Sequence, residues 1–201
     1  MLETLRNAFK IKDLRKRIGF TFFMLIVVRI GSQLPIPGVD PDVFSQLFAN
    51  SGDALNFFDA ITGGSFENMS IFALNITPYI TSSIIIQLLT IAFPKLEEMQ
   101  RDGEQGRKKM TQITRYVTVG LAVVQSLAMA IGFGRAGYLT KFNALYVILT
   151  VAALTAGSSV LMWIGERITE KGIGNGISIV LVINIISRIP SDLTSLFEQF
   201  I

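Results

Sequence analysis

Long apolar runs separated by short charged clusters organise the 201-residue chain. A bilayer core about 30 Å thick is crossed by about 20 mostly apolar residues as helix. Five segments approach that length: 18–34, 70–93, 116–133, 145–164 and 173–189. Pro35 and Pro37 close the first and Pro190 closes the fifth, which is short and interrupted by Asn184. The pattern predicts an all-α, polytopic membrane protein with five transmembrane helices. Amphipathic stretches flank the spans. Within residues 1–17 and at Ile18, Leu2, Leu5, Phe9 and Leu14 stand among basic residues, as in a helix lying on an anionic inner leaflet. After a Ser191-Asp192 cap, Leu193, Leu196, Phe197, Phe200 and Ile201 keep helical spacing, which predicts an interfacial helix over 191–201. The chain stops in the middle of that helix, so a piece of something larger is expected.

Charge sorts the connections by membrane side. Six Lys and Arg lie in 1–17, none in 35–69 and six in 94–115; Arg135 and Lys141, then Arg167 and Lys171, then Arg188 follow. Alternate connections therefore carry fourteen basic residues against three. Basic residues stay on the cytoplasmic side, so the N-terminus is expected inside and the C-terminal end outside. The apolar, glycine-punctuated stretch 57–66 falls on the outer side and is too short to span. It either folds back into a cavity walled by protein or lies at the interface as a half-helix.

Composition removes whole classes of chemistry. Cysteine and histidine are both absent, which excludes a disulfide framework, a thiol nucleophile, a Ser-His-Asp triad and an H-E-x-x-H metal site. None of the five spans holds Asp or Glu, which weighs against proton-coupled transport and excludes an intramembrane aspartyl protease. No enzyme, cofactor or metal is expected. Residues 132–137 match G-x-G-x-x-G in form, but they follow a membrane helix where dinucleotide binding needs a strand. Gly172, Gly174 and Gly176 instead suit a tight turn and close helix packing.

The second span is rich in polar residues. Asn75, Thr77, Tyr79, Thr81, Ser82, Ser83, Gln87 and Thr90 occur in it, and Pro78 is expected to break its hydrogen-bond ladder. Such a helix either lines a cavity or uses its polar groups to bind other helices. Ile80, Ile84, Leu88 and Ile91 form an apolar stripe beside those positions, a pattern suited to a constriction. Arg29, inside the first span, either snorkels or pairs with backbone, the commoner outcome, or faces a water-filled cavity. The inner loop 94–115 is read as a polar turn, 102–106, followed by Arg107, Lys108 and Lys109. These three satisfy the positive-inside rule as a solvated loop, or offer docking to an acidic partner such as ribosomal RNA.

These motifs resemble one family, the bacterial SecY protein-conducting channel and its counterpart Sec61 alpha. The resemblance is carried by Arg29-Ile30-Gly31 through Leu34-Pro35-Ile36-Pro37-Gly38, by Gly63-Gly64, and by Ile71-Phe72-Ala73-Leu74-Asn75-Ile76-Thr77-Pro78-Tyr79-Ile80. It continues through 83–89, Gly106-Arg107-Lys108-Lys109, Thr114-Arg115-Tyr116, Met162-Trp163-Ile164-Gly165-Glu166 and 168–178. The motifs run in order over nearly the whole chain.

The resemblance implies one half of an inverted-repeat ten-helix channel, with 18–190 as the five-helix half. It implies that about 57–70, including Phe57, Phe58, Ile61, Gly63, Gly64 and Phe66, is a plug sealing the resting pore. Ile80 and Ile84, with Leu181 and Ile185 from the fifth span, would belong to a ring of apolar pore residues. Thr77, Pro78, Ser83 and Gln87 would lie on the second span's wall of a lateral gate. Function would be passive translocation of unfolded secretory proteins and insertion of membrane proteins at the bacterial plasma membrane. The implied partners are the C-terminal half of the channel, the SecE and SecG small subunits, the SecA ATPase or a ribosome, signal peptides and nascent chains, and anionic lipids. The residues alone leave two alternatives open: half of an inverted-repeat small-solute transporter or ion channel, and a non-transporting membrane scaffold.

Overall fold

The protein is seen in a computed structural model that describes residues 11–36, 39, 59, 62–135, 137 and 143–200, with backbone alone for Arg188 and 191–200. Among the described residues these helices follow in order: α1 Lys12–Gly31, α2 Thr77–Ala92, α3 Pro94–Arg101, α4 Gly103–Arg135, α5 Ala144–Lys171 and α6 Gly176–Phe200. Helix dominates the described residues, as the apolar runs require; Pro35 and Ser70 pair in an isolated antiparallel bridge. By length and composition α4 and α5 can each cross a membrane, and α2 with α3, bent by 105°, pass together as a third. In α6 the apolar part is the shorter stretch Gly176–Ser187. The chain divides into two compact units, one drawn from Met1–Pro35, Pro41–Ala73 and Val160–Ile201, the other from Ile36–Asp40 and Leu74–Ser159.

In the second unit α2, α3 and α4 pack on one another. Their contact is cut from small residues. Pro78, Ser82, Ile86 and Thr90 are buried on α2, and Thr114, Thr118, Ala122, Ser126 and Ala130 on α4, each at four-residue spacing. Small side chains on one face let helix backbones approach closely, which drives packing where lipid removes most of the hydrophobic effect. Ser82 and Thr118 share a hydroxyl–hydroxyl hydrogen bond of 2.5 Å across this seam, and Ser126 of α4 shares one of 3.2 Å with Thr155 of α5.

In the first unit α1 packs on α6. The Thr21 hydroxyl of α1 accepts the Ile173 N–H at 3.2 Å, tying α1 to the turn before α6. That turn is tight because a Cβ on Gly176 would overlap the Gly165 carbonyl of α5. Close packing through glycine is therefore what the 172–176 motif supplies.

Four expected boundaries differ. Helix α2 begins at Thr77 instead of 70, and residues 63–69 and 71–76 run as turns. Pro78 thus occupies the first helical turn, where its missing N–H costs nothing, and does not break the helix. The expected inner loop is almost wholly helical: Phe93 turns extended before Pro94, α3 follows, and Gly103 at φ +68° reverses the chain into α4. Last, α6 runs on through Pro190 to Phe200, so neither a stop at Pro190 nor a fresh cap at Ser191 is present. Proline can be carried inside a membrane helix when neighbouring groups satisfy the freed carbonyl.

Candidate functional site

Of the expected plug residues, Gly63, Gly64 and Phe66 are described, and Phe57, Phe58 and Ile61 lie outside the described residues. The visible segment belongs to the first unit, with Asp59 and Thr62 in helical conformation and 63–69 running as turns. Asp59, fully buried, organises it: one carboxylate oxygen accepts the Glu67 N–H at 2.8 Å and the Thr62 hydroxyl at 3.3 Å. The Thr62 hydroxyl also donates to the Asp59 carbonyl at 3.0 Å and accepts the Phe66 N–H at 3.3 Å. Gly64 and Ser70 close further backbone bonds to Asp59 and Ser65, at 3.2 and 2.9 Å. These bonds satisfy several of the segment's backbone groups, so the turns at 63–69 can be buried without continuing as helix.

Two attachments of this segment are seen among the described residues. At its C-terminal end the Ile71 N–H donates to the Leu34 carbonyl at 3.0 Å, beside the Pro35–Ser70 bridge, and the Phe72 ring occupies the space a Cβ on Gly31 would need. At its N-terminal end an Arg29 guanidinium nitrogen donates to the Gly63 carbonyl at 3.0 Å. Arg29 reaches it from an apolar groove of about 410 Å³ lined also by Phe22, Leu25, Ile26, Ile30, Gln33 and Ile183. Of the readings open for Arg29, pairing with backbone is the one observed.

Gly63 adopts φ +69°, and a Cβ there would come within 2.8 Å of the Asn184 backbone carbonyl. Asn184 itself is buried in α6. The residue that shortens the fifth apolar run is therefore a neighbour of Gly63. Backbone strain marks the same stretch of chain: Met69 sits at φ +41° and Asn75 at φ +52°. For a residue with a Cβ this region costs about 1–2 kcal/mol, so the surroundings hold Met69 where it would not settle alone.

The residues expected at a pore ring and a lateral gate divide between the units. Ile80 is partly buried and Ile84 half exposed on α2, in the second unit; Leu181 is partly buried and Ile185 half exposed on α6, in the first. Gate residues Thr77 and Gln87 are exposed and Pro78 is buried, while Ser83 accepts a 3.3 Å hydrogen bond from Gln87. The polar groups of α2 thus split into two sets. Ser82 and Thr90 serve helix packing; Thr77, Ser83 and Gln87 stay off that face, as do Ile84, Leu88 and Ile91. Arg107, Lys108 and Lys109 are exposed in the first two turns of α4, with Lys108 paired to Glu104 at 3.1 Å. They form a helical basic face instead of a loop.

Sequence reasoning missed three features here: the organising role of Asp59, the place of Asn184 against Gly63, and the small-residue repeat on the third span. A buried polar residue in a short apolar run, and Thr114, Thr118, Ala122, Ser126 and Ala130 at constant spacing, were available signals.

A family model described as SecY matches residues 70–201. The chain is 43% identical over 190 residues to the "Protein translocase subunit SecY" of Pseudomonas aeruginosa, covering 94% of this chain and 43% of that protein. It is 47% identical over 186 residues to the subunit of the same name in Pyropia yezoensis, covering 92% and 44%, and 42% identical over 201 residues to that of Thermotoga maritima, covering 95% and 47%. The chain therefore spans less than half the length of these relatives. Among solved structures it is similar to "The structure of a protein conducting channel" and to "Sec61 in the Canine ribosome-channel complex from the endoplasmic reticulum". Each has a TM-score of 0.63 at 18% identity, covering 87% of this chain and 37% of the other. At that identity the likeness concerns the fold.

Proposed function

This chain belongs to the SecY family, and we propose from that premise that it forms the N-terminal half of a protein-conducting channel. The half-channel would pass unfolded secretory proteins across the bacterial plasma membrane and insert membrane proteins into it. The observation that supports the reading is the stretch 63–72: turns that do not span, bonded in part within themselves and placed against Arg29 of α1 and Asn184 of α6, as suits a displaceable plug. A segment of spanning helix could not leave its place so cheaply, because its neighbours would lose packing along its whole length.

In this reading Ile80, Ile84, Leu181 and Ile185 contribute to an apolar collar around an extended polypeptide, excluding ions by dewetting. Thr77, Pro78, Ser83 and Gln87 lie on one wall of the lateral gate. The exposed face of Arg107, Lys108 and Lys109 suits docking of an anionic partner, a ribosome or the SecA motor, on the cytoplasmic side. The SecE and SecG subunits and the C-terminal half complete the channel, anionic lipids contact the basic N-terminal stretch, and signal peptides enter by the gate. The N-terminus is inside and Phe200 outside, following the distribution of basic residues.

The test is a stalled secretory precursor offered to the assembled channel, with a photoreactive probe at Ile80 or Ile84 of this chain. Crosslinking to the precursor is expected at both positions and not at Val124, which is exposed on α4. An assembled complex that gives no precursor adduct at either isoleucine overturns the reading.

A further inference from the structure

The exposed side of α5 changes character along its length: Leu145, Leu149 and Val160 come first, Arg167 and Glu170 last. From that change we infer that the C-terminal end of α5 binds the headgroup of a zwitterionic amine phospholipid, phosphatidylethanolamine. Helix α5 has 28 residues, which is about 42 Å of helix against a hydrocarbon core of about 30 Å. The helix therefore outruns the core, and its composition says at which end. Its apolar run closes at Ile164, and Glu166, Arg167, Glu170 and Lys171 follow. Trp163, the single tryptophan of the chain, stands half exposed at that border. Tryptophan settles at headgroup level because its ring is apolar and its N–H is polar. Arg167, one turn on, then lies about 6 Å further out, among lipid phosphates and amines.

Trp163, Arg167 and Glu170 share one face of the helix, at i, i+4 and i+7. The Arg167 guanidinium lies over the Trp163 ring, 5.6 Å from its centroid, and donates to a Glu170 carboxylate oxygen at 2.9 Å. Both charged side chains stay open to the surface. Each spends only part of its capacity on the other, since a guanidinium has five N–H donors and a carboxylate accepts about four bonds. What remains is a cation and an anion side by side. The charged residues of 166–171 carry no net charge, so an anionic headgroup loses to Glu170 what it gains from Arg167. A zwitterion meets both, its phosphate on Arg167 and its positive group on Glu170. The same geometry selects the positive group. A trimethylammonium has no N–H to donate and seeks an aromatic face, but the guanidinium already lies over the Trp163 ring. A primary ammonium donates to the carboxylate directly. The assignment needs α5 to lie in a membrane and does not depend on the chain conducting polypeptides.

Trp163 is also the reporter, because no other tryptophan emits. The full chain is placed in phosphatidylcholine vesicles holding a minor fraction of one lipid brominated near the glycerol end of its chains. The ratio of emission with and without bromine gives that lipid's relative association. Brominated phosphatidylethanolamine is expected to associate about fivefold better than brominated phosphatidylcholine, the size of one exposed charge pair. Glu170→Gln, which keeps a hydrogen-bond acceptor for Arg167 and removes the charge, is expected to abolish that preference and to raise association of phosphatidylglycerol. Arg167→Met, which removes the partner of the phosphate, is expected to weaken phosphatidylethanolamine association by a similar factor. Both side chains are exposed, so neither change disturbs the packing of the helix. Equal association of phosphatidylethanolamine and phosphatidylcholine with the unaltered chain overturns the site, and so does a preference that survives Glu170→Gln. Stronger association of phosphatidylglycerol than of phosphatidylethanolamine overturns it as well.

Discussion

The plug segment and the α2–α4 seam keep their places by different means. Residues 62–72 are held by hydrogen bonds aimed at main-chain carbonyls and amides, with Met69 in a left-handed conformation that its neighbours must enforce. The seam is held by ordinary helices meeting along small side chains at four-residue intervals. Polar groups occur in both, but with different consequences. In the seam, Thr118 bonds both to its own helix and to Ser82 across the contact, so polarity adds to packing already made by shape. In residues 63–72 turns stand where a helix is absent, and Asp59, Thr62 and Arg29 supply side-chain partners to the backbone there. An element proposed to move as a plug is better built the second way. Its bonds can be exchanged one at a time, whereas a helix seam is lost or kept as a whole.

The largest expected effect comes from breaking the seam by shape. Ala122 is fully buried among the small residues of α4. Ala122→Leu inserts three carbons where the helices approach and is expected to cost about 1–3 kcal/mol. Thermal unfolding in detergent should show it as a loss of the whole second unit's helicity. If melting is unchanged, close approach along the seam is not what holds α2 to α4.

How far the sequence reached differs between the same two regions. The apolar runs foretold the all-helical class, since period and length are local properties. They also overextended: 70–93 reads as one continuous span because Ile71, Phe72, Ala73, Leu74 and Ile76 are as apolar as the helix that follows. Nothing local announces that Met69 and Asn75 take positive φ, which only tertiary contacts can impose. The same holds for Pro190, carried within α6, and for the charged stretch at 94–115, where i,i+4 pairs such as Glu97–Arg101 and Glu104–Lys108 support helix that polarity alone suggested was loop. The stretch proposed as a plug was legible as a short apolar run out of place, and the family resemblance supplied its expected residues. Its mode of attachment was not, because Arg29, Gly63 and Asn184 are brought together from positions far apart in the chain.

A smaller effect separates strain from packing in the plug. Replacing Met69 by alanine or by glycine removes the same buried side chain in both cases, apart from one methyl group. In an ordinary helix or strand glycine is the worse of the two by about 0.5–1 kcal/mol. At φ +41° the order should invert, with Met69→Gly holding the segment better than Met69→Ala by about 1 kcal/mol. Hydrogen exchange at the Ser70 and Ile71 amides, whose bonds to Ser65 and Leu34 flank the position, reads the difference. If alanine proves the better replacement, the segment is not under backbone strain and its contrast with the seam shrinks to hydrogen bonding.

The smallest effect probes the seam's polar contact. Ser82 and Thr118 each also bond to a carbonyl of their own helix, Tyr79 and Thr114, at 2.9 and 2.7 Å. Breaking the bond between them therefore strands neither hydroxyl. Interhelical hydrogen bonds in membranes measured by double-mutant cycles average about 0.6 kcal/mol, and this pair has no reason to exceed that. The cycle built from Ser82→Ala and Thr118→Val is expected to give a coupling of about that size in thermal unfolding of the full chain. A coupling several times larger would mean that the seam, like the plug, is held by directed bonds, and that shape is the minor term in both.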